Sequence, residues 1–322
     1  MISKLLLFLL FKTVVSDKIP IIYSPKYDIS ILGIEKFHPF DTKKYGKIYK
    51  YLIDNLKYTK EQFYTPEIVS NDDLLLVHSK KYLDSLSNSK AISQIAEISQ
   101  LSYVPFFILK NNLLQPMKFA TGGTILGIDL LEKYNWAINL SGGYHHAKAT
   151  EGGGFCYFSD IAIAVKKYQQ KHENGKILII DLDAHQGNGY EDIFKDEKNI
   201  IVFDLYNKEI YPQDTSLEKY IDYKFAVQSG VQDDDYLKII NKNLPKILKK
   251  EKPDLIIYTA GTDIYKNDSL GKFKITKEGI IKRDEIIFKE AIKNNIKILM
   301  LLSGGYSKES YEITGKSIEN LI

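Results

Sequence analysis

One cysteine, Cys156, leaves the chain without a partner thiol for an intrachain disulfide and without the thiolate set of a structural zinc knot. A reducing compartment suits that composition. An excess of either charge is also missing: 44 Lys and Arg stand against 41 Asp and Glu, a formal net charge of +3. Doublets such as Lys166–Lys167 and Lys249–Lys250 read as solvated helix faces, so no direct nucleic-acid partner is expected. No repeat, low-complexity stretch or polar linker divides the 322 residues, which favours one domain. Near the start, the apolar run Leu5–Phe11 behind Lys4 is shorter than a membrane span and is broken by Lys12. It imitates a secretory signal. Residues 1–19 are therefore read as an N-terminal extension or signal-like segment, and residues 20–322 as the folded unit. Secretion follows only if that stretch works as a signal. Otherwise the expected location is intracellular, cytoplasmic or nuclear, with no basic cluster to choose between them and no membrane partner.

What the chain does have is a series of short apolar runs: "PIIYS" (20–24), "DLLLVH" (73–78), "WAINL" (136–140), "KILIID" (176–181), "IIVFDL" (200–205), "DLIIYTAG" (254–261) and "IKILMLLSGG" (296–305). Between some of them lie amphipathic helical patterns, such as "SDIAIAVKKYQQ" (159–170) and "YLKIINKNLPKILKK" (236–250), the second expected to bend at Pro245. Short buried strands alternating with helices predict an α/β fold with a mainly parallel central sheet flanked by helices. Polar residues gather just after three of the runs, as "SGGYHH", "DLDAHQGNG" and "TAGTDIY". Open α/β sheets bind ligands beyond the carboxyl ends of their strands, so the three stretches have a reason to meet in one crevice.

Asp181, Asp183 and His185 fall on one face if the strand continues, which places polar groups where burial is costly. Something must compensate them, and a divalent cation is one answer. Asp183, His185 and Asp263 supply two carboxylates and an imidazole, a donor set that leaves positions open for water and a substrate oxygen, as catalytic zinc sites do. Fe²⁺ and Co²⁺ suit the same oxygen and nitrogen donors. The competing reading is a turn or helix cap, for which Asp–x–Asp is common. Asp181 is redundant as a cap but useful as a partner to an imidazole. The adjacent His145 and His146 bring proton chemistry: one removes a proton from water while the other supplies positive charge. Tyr306, after Gly304–Gly305, offers a phenolic donor for a carbonyl oxygen that becomes negative on attack. Together these groups predict amide hydrolysis. "TGGTILG" (121–127) lacks the lysine and hydroxyl of a phosphate loop and reads as glycine-mediated helix packing.

With these motifs in place, the sequence resembles the zinc-dependent histone deacetylase family, within the arginase/deacetylase fold, and in particular its class IV, histone deacetylase 11-like branch. The resembling segments are "IIYSPKYDISILGIEKFHPFD", "TGGTILG", "WAINLSGGYHHA", "EGGGFCYFSDIAIA", "IIDLDAHQGNG", "YNKEIYP", "AGTDI", "GIIKRDE" and "SGGY", in order over about residues 20–310. The resemblance implies a single-domain metal-dependent lysine deacylase. Asp183, His185 and Asp263 become its metal ligands, His146 the general base, His145 with Asp181 the electrostatic partner, and Tyr306 the transition-state donor. It further implies a lysine channel lined by Gly154, Phe155 and Tyr211, with Cys156 at its floor. A structural potassium ion is implied beside Asp181, Asp183, His185 and Asp204.

One departure lies at Asn188, where many relatives carry aspartate. An amide orients His146 without adding negative charge, which favours the neutral imidazole. The expected substrate is an acylated lysine in a histone or non-histone protein, carrying an acetyl or a long fatty acyl group, which makes a chromatin role one expectation. A small acylated amine or polyamine is an alternative substrate, and a non-catalytic acyl-lysine binding protein an alternative class. An arginase-like reaction is disfavoured because only one ligand set is evident.

Overall fold

The computed structural model describes residues 18–322, so the signal-like stretch lies outside the described residues. Strands β3 (Ile177–Asp181) and β6 (Leu255–Thr259) are buried at every position. Only a sheet covered on both faces buries an unbroken run in this way. Alternate side chains go to opposite faces: Leu178, Ile180, Ile256 and Tyr258 join one apolar core, and Ile177, Ile179, Leu255 and Ile257 the other. The remaining strands are β1 (Ile21–Ile22), β2 (Trp136–Asn139), β4 (Ile200–Asn207), β5 (Tyr223–Val227) and β7 (Lys297–Leu301). They form one seven-stranded sheet in the order β1-β2-β7-β6-β3-β4-β5, with every pairing parallel.

This order creates the crevice that the site uses. From β3 the chain moves outward to β4 and β5, whereas from β6 it moves the other way to β7. The loops leaving the neighbouring strands β3 and β6 therefore diverge, which opens a topological switch point at their carboxyl ends. In the helix Gln115–Leu130, Gly123 and Gly127 of "TGGTILG" seat it against the sheet; a Cβ on Gly127 would lie 2.4 Å from Leu299 Cδ1.

Two local expectations are corrected. "DLLLVH" is not a strand: Asn71–Leu75 is a short helix whose Ser70 cap accepts from the Asp73 amide, with Asp72 and Asp73 in its first turn. A short apolar run does not distinguish the two states by periodicity, and the cap decides. Strand β5 is not among the expected runs, because this edge strand is nowhere fully buried. The helix Asp233–Glu251 continues through Pro245. No described helix is long and apolar enough to cross a membrane.

Ile257 is fully buried at the centre of the sheet. Ile257→Ala is expected to destabilise the protein by about 2–5 kcal/mol in urea unfolding, by lost burial plus the cavity left behind. A change within about 0.5 kcal/mol would contradict this packing.

Candidate active site

The ligand candidates sit where the backbone ladder between β3 and β6 runs out. Its last bond is Leu182 N–H to Thr259 O at 3.0 Å. Asp183 and His185 follow β3 directly, and Asp263 follows β6 four residues after Thr259. One donor atom from each of the three lies within 4.8 Å of the other two, and all three residues are buried. His185 Nδ1 is 3.0 Å from both Asp183 Oδ1 and Asp263 Oδ2. The carboxylates are aimed by backbone and hydroxyl donors: Ser303 Oγ and Gly304 N each donate to Asp183 Oδ2 at 2.8 Å, and Ala184 N to Asp263 Oδ1 at 2.9 Å. Two hard carboxylates and an imidazole on a buried wall are a donor set that fits one divalent cation.

Without a cation, protons take its place. Burial and the Asp183 anion push the Asp263 carboxyl up to about 7. Burial pulls the His185 imidazole down, but the Asp183 and Asp263 carboxylates outweigh it and hold the ring near 10. Burial opposes ionisation of Asp183 too, yet His145 and His185 keep it well below the usual carboxylate range.

The tandem histidines occupy different electrostatic environments. His145 Nδ1 donates to Asp181 Oδ2 at 2.8 Å, and Tyr190 supplies a second donor to that oxygen at 3.0 Å. Although burial disfavours its cation, Asp181 and Asp183 raise His145 to about 9. His146 Nδ1 instead donates to the Asn188 amide oxygen at 2.8 Å, which leaves Nε2 with its lone pair. Burial and the neighbouring His145 and His185 hold its pKa well below the ordinary value. Of two adjacent rings, one is held cationic and the other neutral.

A cavity of about 330 Å³ leads to these groups, lined among others by His146, Gly154, Phe155, His185, Tyr211 and Tyr306. The Gly154 backbone lies against the imidazole: a Cβ there would be 2.3 Å from His146 Cδ2. Tyr211 meets His146 edge to face at 4.9 Å between ring centres, and Phe155 meets Tyr306 at 6.1 Å. Tyr306 is kept protonated by burial and by the Asp183 and Asp263 carboxylates, which push its pKa well above the ordinary phenol value. Cys156 lines a smaller cavity of about 50 Å³ with Tyr306, His145 and His146. Its thiol is pushed well up by burial, which disfavours a nucleophilic thiolate. Asp204 lies inside β4 opposite Asp181 rather than at a strand end. Its Oδ2 accepts from Gly187 N at 2.9 Å, while its Oδ1 is buried without a partner.

Two residues that the sequence does not single out hold the Tyr306 loop. Lys44 is buried, and its Nζ donates to Ser303 O at 3.1 Å and Gly304 O at 3.2 Å. Burial lowers its pKa to about 8 against the pull of the Asp263 and Asp183 carboxylates. Asp268 Oδ2 accepts from Tyr306 N at 2.7 Å and Ser307 N at 3.1 Å, while its Oδ1 accepts from Leu270 N at 2.9 Å.

Known proteins resemble the chain in both sequence and fold. A model of the family described as "Histone deacetylase domain" matches residues 38–320. The chain is 43% identical over 305 residues to Histone deacetylase 2 of Arabidopsis thaliana, covering 95% of this chain and 79% of the relative. An uncharacterized protein of Picosynechococcus is 30% identical over 294 residues, covering 91% of this chain and 94% of the relative. Human Histone deacetylase 1 is 27% identical over 287 residues, covering 84% of this chain and 58% of that protein. Among solved structures, the crystal structure of the HDA15 HD domain superposes with a TM-score of 0.73 at 18% identity, covering 95% of this chain and 88% of that one.

The protonated cluster has a direct consequence for metal uptake. Because Asp263 titrates near 7 and His185 near 10 in the metal-stripped protein, a cation must displace protons from them at neutral pH. Zinc affinity is expected to rise from pH 6 to pH 8, with roughly one or more protons released per metal. Calorimetry in buffers of different ionisation enthalpy measures this, and uptake without proton release would contradict the cluster.

Proposed function

The chain belongs to the histone deacetylase family, and from that premise we propose that it hydrolyses Nε-acyl-lysine amides in proteins, with one divalent metal held by Asp183, His185 and Asp263. The observation that carries the reading is the pairing of that buried donor triad with a neutral imidazole and a protonated phenol at one 330 Å³ cavity. We place it in the class IV branch on the resemblance of its ordered motifs over about residues 20–310.

A bound zinc ion, or Fe²⁺ or Co²⁺ on the same donors, supplies Lewis acidity toward the acyl oxygen and acidifies a water. The chain's own residues do the rest. Phe155 and Tyr211 flank the four-carbon lysine stem and exclude water from it. His146 Nε2, unprotonated because Nδ1–H is committed to Asn188, takes the proton of the attacking water. The His145 imidazolium, held by Asp181, stabilises the negative charge that develops, and the Tyr306 hydroxyl donates to the tetrahedral oxyanion. On collapse His146 returns the proton to the departing lysine amine, so water and amide become carboxylate and free lysine. The same reading places a potassium ion beside Asp181, Asp183, His185 and Asp204. The partnerless, buried Asp204 Oδ1 supports it.

The acyl end has limited room. Beyond the triad lies the 50 Å³ cavity bounded by Phe40, Met117 and Tyr306, and behind Phe155 lies a second of about 50 Å³ walled by Ile29, Leu101 and Met117. Each holds about one or two waters' worth of volume, so acetyl fits as the walls stand. Longer acyl chains require the two cavities to join past Phe155, Phe40 and the flexible Met117, where apolar burial rewards them.

Matched acetyl-, octanoyl- and myristoyl-lysine peptides, incubated with zinc-loaded protein, test the reading by the acid and free lysine they release. Acid release is expected, and Tyr306→Phe is expected to lower kcat by about 10²–10³ through loss of one oxyanion donor. Acid release from none of the three, by folded zinc-loaded protein, would sink the assignment.

A further inference from the structure

Arg283 is fully buried, and nothing in the chemistry above uses it. It lies in the helix Lys277–Lys293, within the "GIIKRDE" segment that carries the family resemblance in sequence. Its guanidinium instead reaches the floor of the metal centre. Nη1 donates to Leu182 O at 3.1 Å and to Gly261 O at 2.6 Å, and Nη2 donates to Ala260 O at 3.2 Å. Leu182 immediately precedes Asp183, and Gly261 stands two residues before Asp263. One rigid fork therefore ties together the two strand ends that deliver the carboxylate ligands, just beyond the last ladder bond between them.

The fork is itself aimed. Asp284 Oδ1 accepts from Arg283 Nε at 2.8 Å and from the Tyr258 hydroxyl, and its Oδ2 accepts from Ser317 Oγ. Tyr236 donates to the same Leu182 carbonyl at 3.3 Å. The two loops are in hard contact above this network: a Cβ on Gly261 would lie 2.4 Å from Asp183 Oδ2. Small changes in loop spacing therefore reach the ligand oxygens directly. A buried ion pair is an expensive way to obtain stability alone, since desolvation offsets much of its attraction. Geometric specification is what a five-donor planar group adds.

We propose that Arg283 is a positioning residue for the metal centre: clamped by Asp284, it fixes the spacing of the Asp183 and Asp263 loops and thereby sets metal affinity. The proposal rests on the metal reading of Asp183, His185 and Asp263. Arg283 makes no contact with substrate and acts only through those ligands.

Two full-length variants test it. Arg283→Met keeps length and apolar bulk but loses fork and charge, and Arg283→Lys keeps charge but loses the fork. For each, the zinc dissociation constant is measured by competition with a chromophoric chelator. Circular dichroism checks folding, and kcat and KM are measured at saturating zinc. Arg283→Met is expected to bind zinc roughly ten- to a hundredfold more weakly, as loss of support behind a ligand does, with kcat lowered more than KM is changed. Arg283→Lys should fall between it and the wild type. Folded Arg283→Met that binds zinc as tightly as the wild type overturns the clamp, even if it melts earlier, because a purely structural role predicts that result. If Arg283→Met does not fold, Arg283→Lys decides in the same way: weaker zinc binding supports the clamp, and wild-type affinity overturns it. A wild-type chain that binds no zinc overturns the metal reading itself and the clamp with it, so the two failures are distinguishable.

Discussion

Two buried carboxylates at neighbouring strand ends are the constraint on which the rest of this molecule depends. Asp183 and Asp263 follow β3 and β6, which pair in parallel register with Asp181 opposite Thr259. Both are essentially without solvent. Like charges this close do not both ionise without compensation. The protein supplies only part of that compensation, through Ser303, Gly304 and Ala184 on the carboxylate oxygens and His185 between them. The remaining demand is for positive charge, which a divalent cation meets better than a shared proton. In the proposed reading, the cation that relieves the cluster is also the one that serves amide hydrolysis.

Much of the surrounding structure serves to hold this arrangement and to keep its proton carriers apart. The sheet order opens the crevice, and Lys44 and Asp268 fix the loop that brings Gly304 to Asp183 and Tyr306 to the cavity. Asp181 keeps His145 charged, while Asn188 accepts the Nδ1–H of His146 and leaves a lone pair on Nε2. The partner of each ring, carboxylate or amide, separates two adjacent and chemically identical side chains into two roles.

The sheet and the ligands are legible in the sequence because both are written locally. Short apolar runs followed by "DLDAH" and "TAGTD" mark strand ends that carry polar side chains, and the fold brings Asp183, His185 and Asp263 together there. Other features depend on tertiary burial, which no local pattern shows. Lys44 sits among the lysines of "DTKKYGK", Asp268 within the polar "YKNDS", and Arg283 within the charged "KRDE", and none shows its burial until the fold closes over it. Strand β5 escapes for the opposite reason, since an edge strand that stays partly exposed lacks the unbroken apolar signature. Asn71–Leu75 imitates a strand because its cap, not its apolar content, sets its state.

The central claim, that one metal on Asp183, His185 and Asp263 carries the hydrolysis, is tested most directly by titrating the metal-stripped protein with zinc. Acetic acid release from an acetyl-lysine peptide is followed at each addition. The account predicts activity that rises in proportion to zinc and levels off at about one equivalent per chain, the occupancy expected of a mononuclear catalytic site. Hydrolysis that persists under a strong chelator, or that levels off only at about two equivalents as a binuclear centre would, contradicts it.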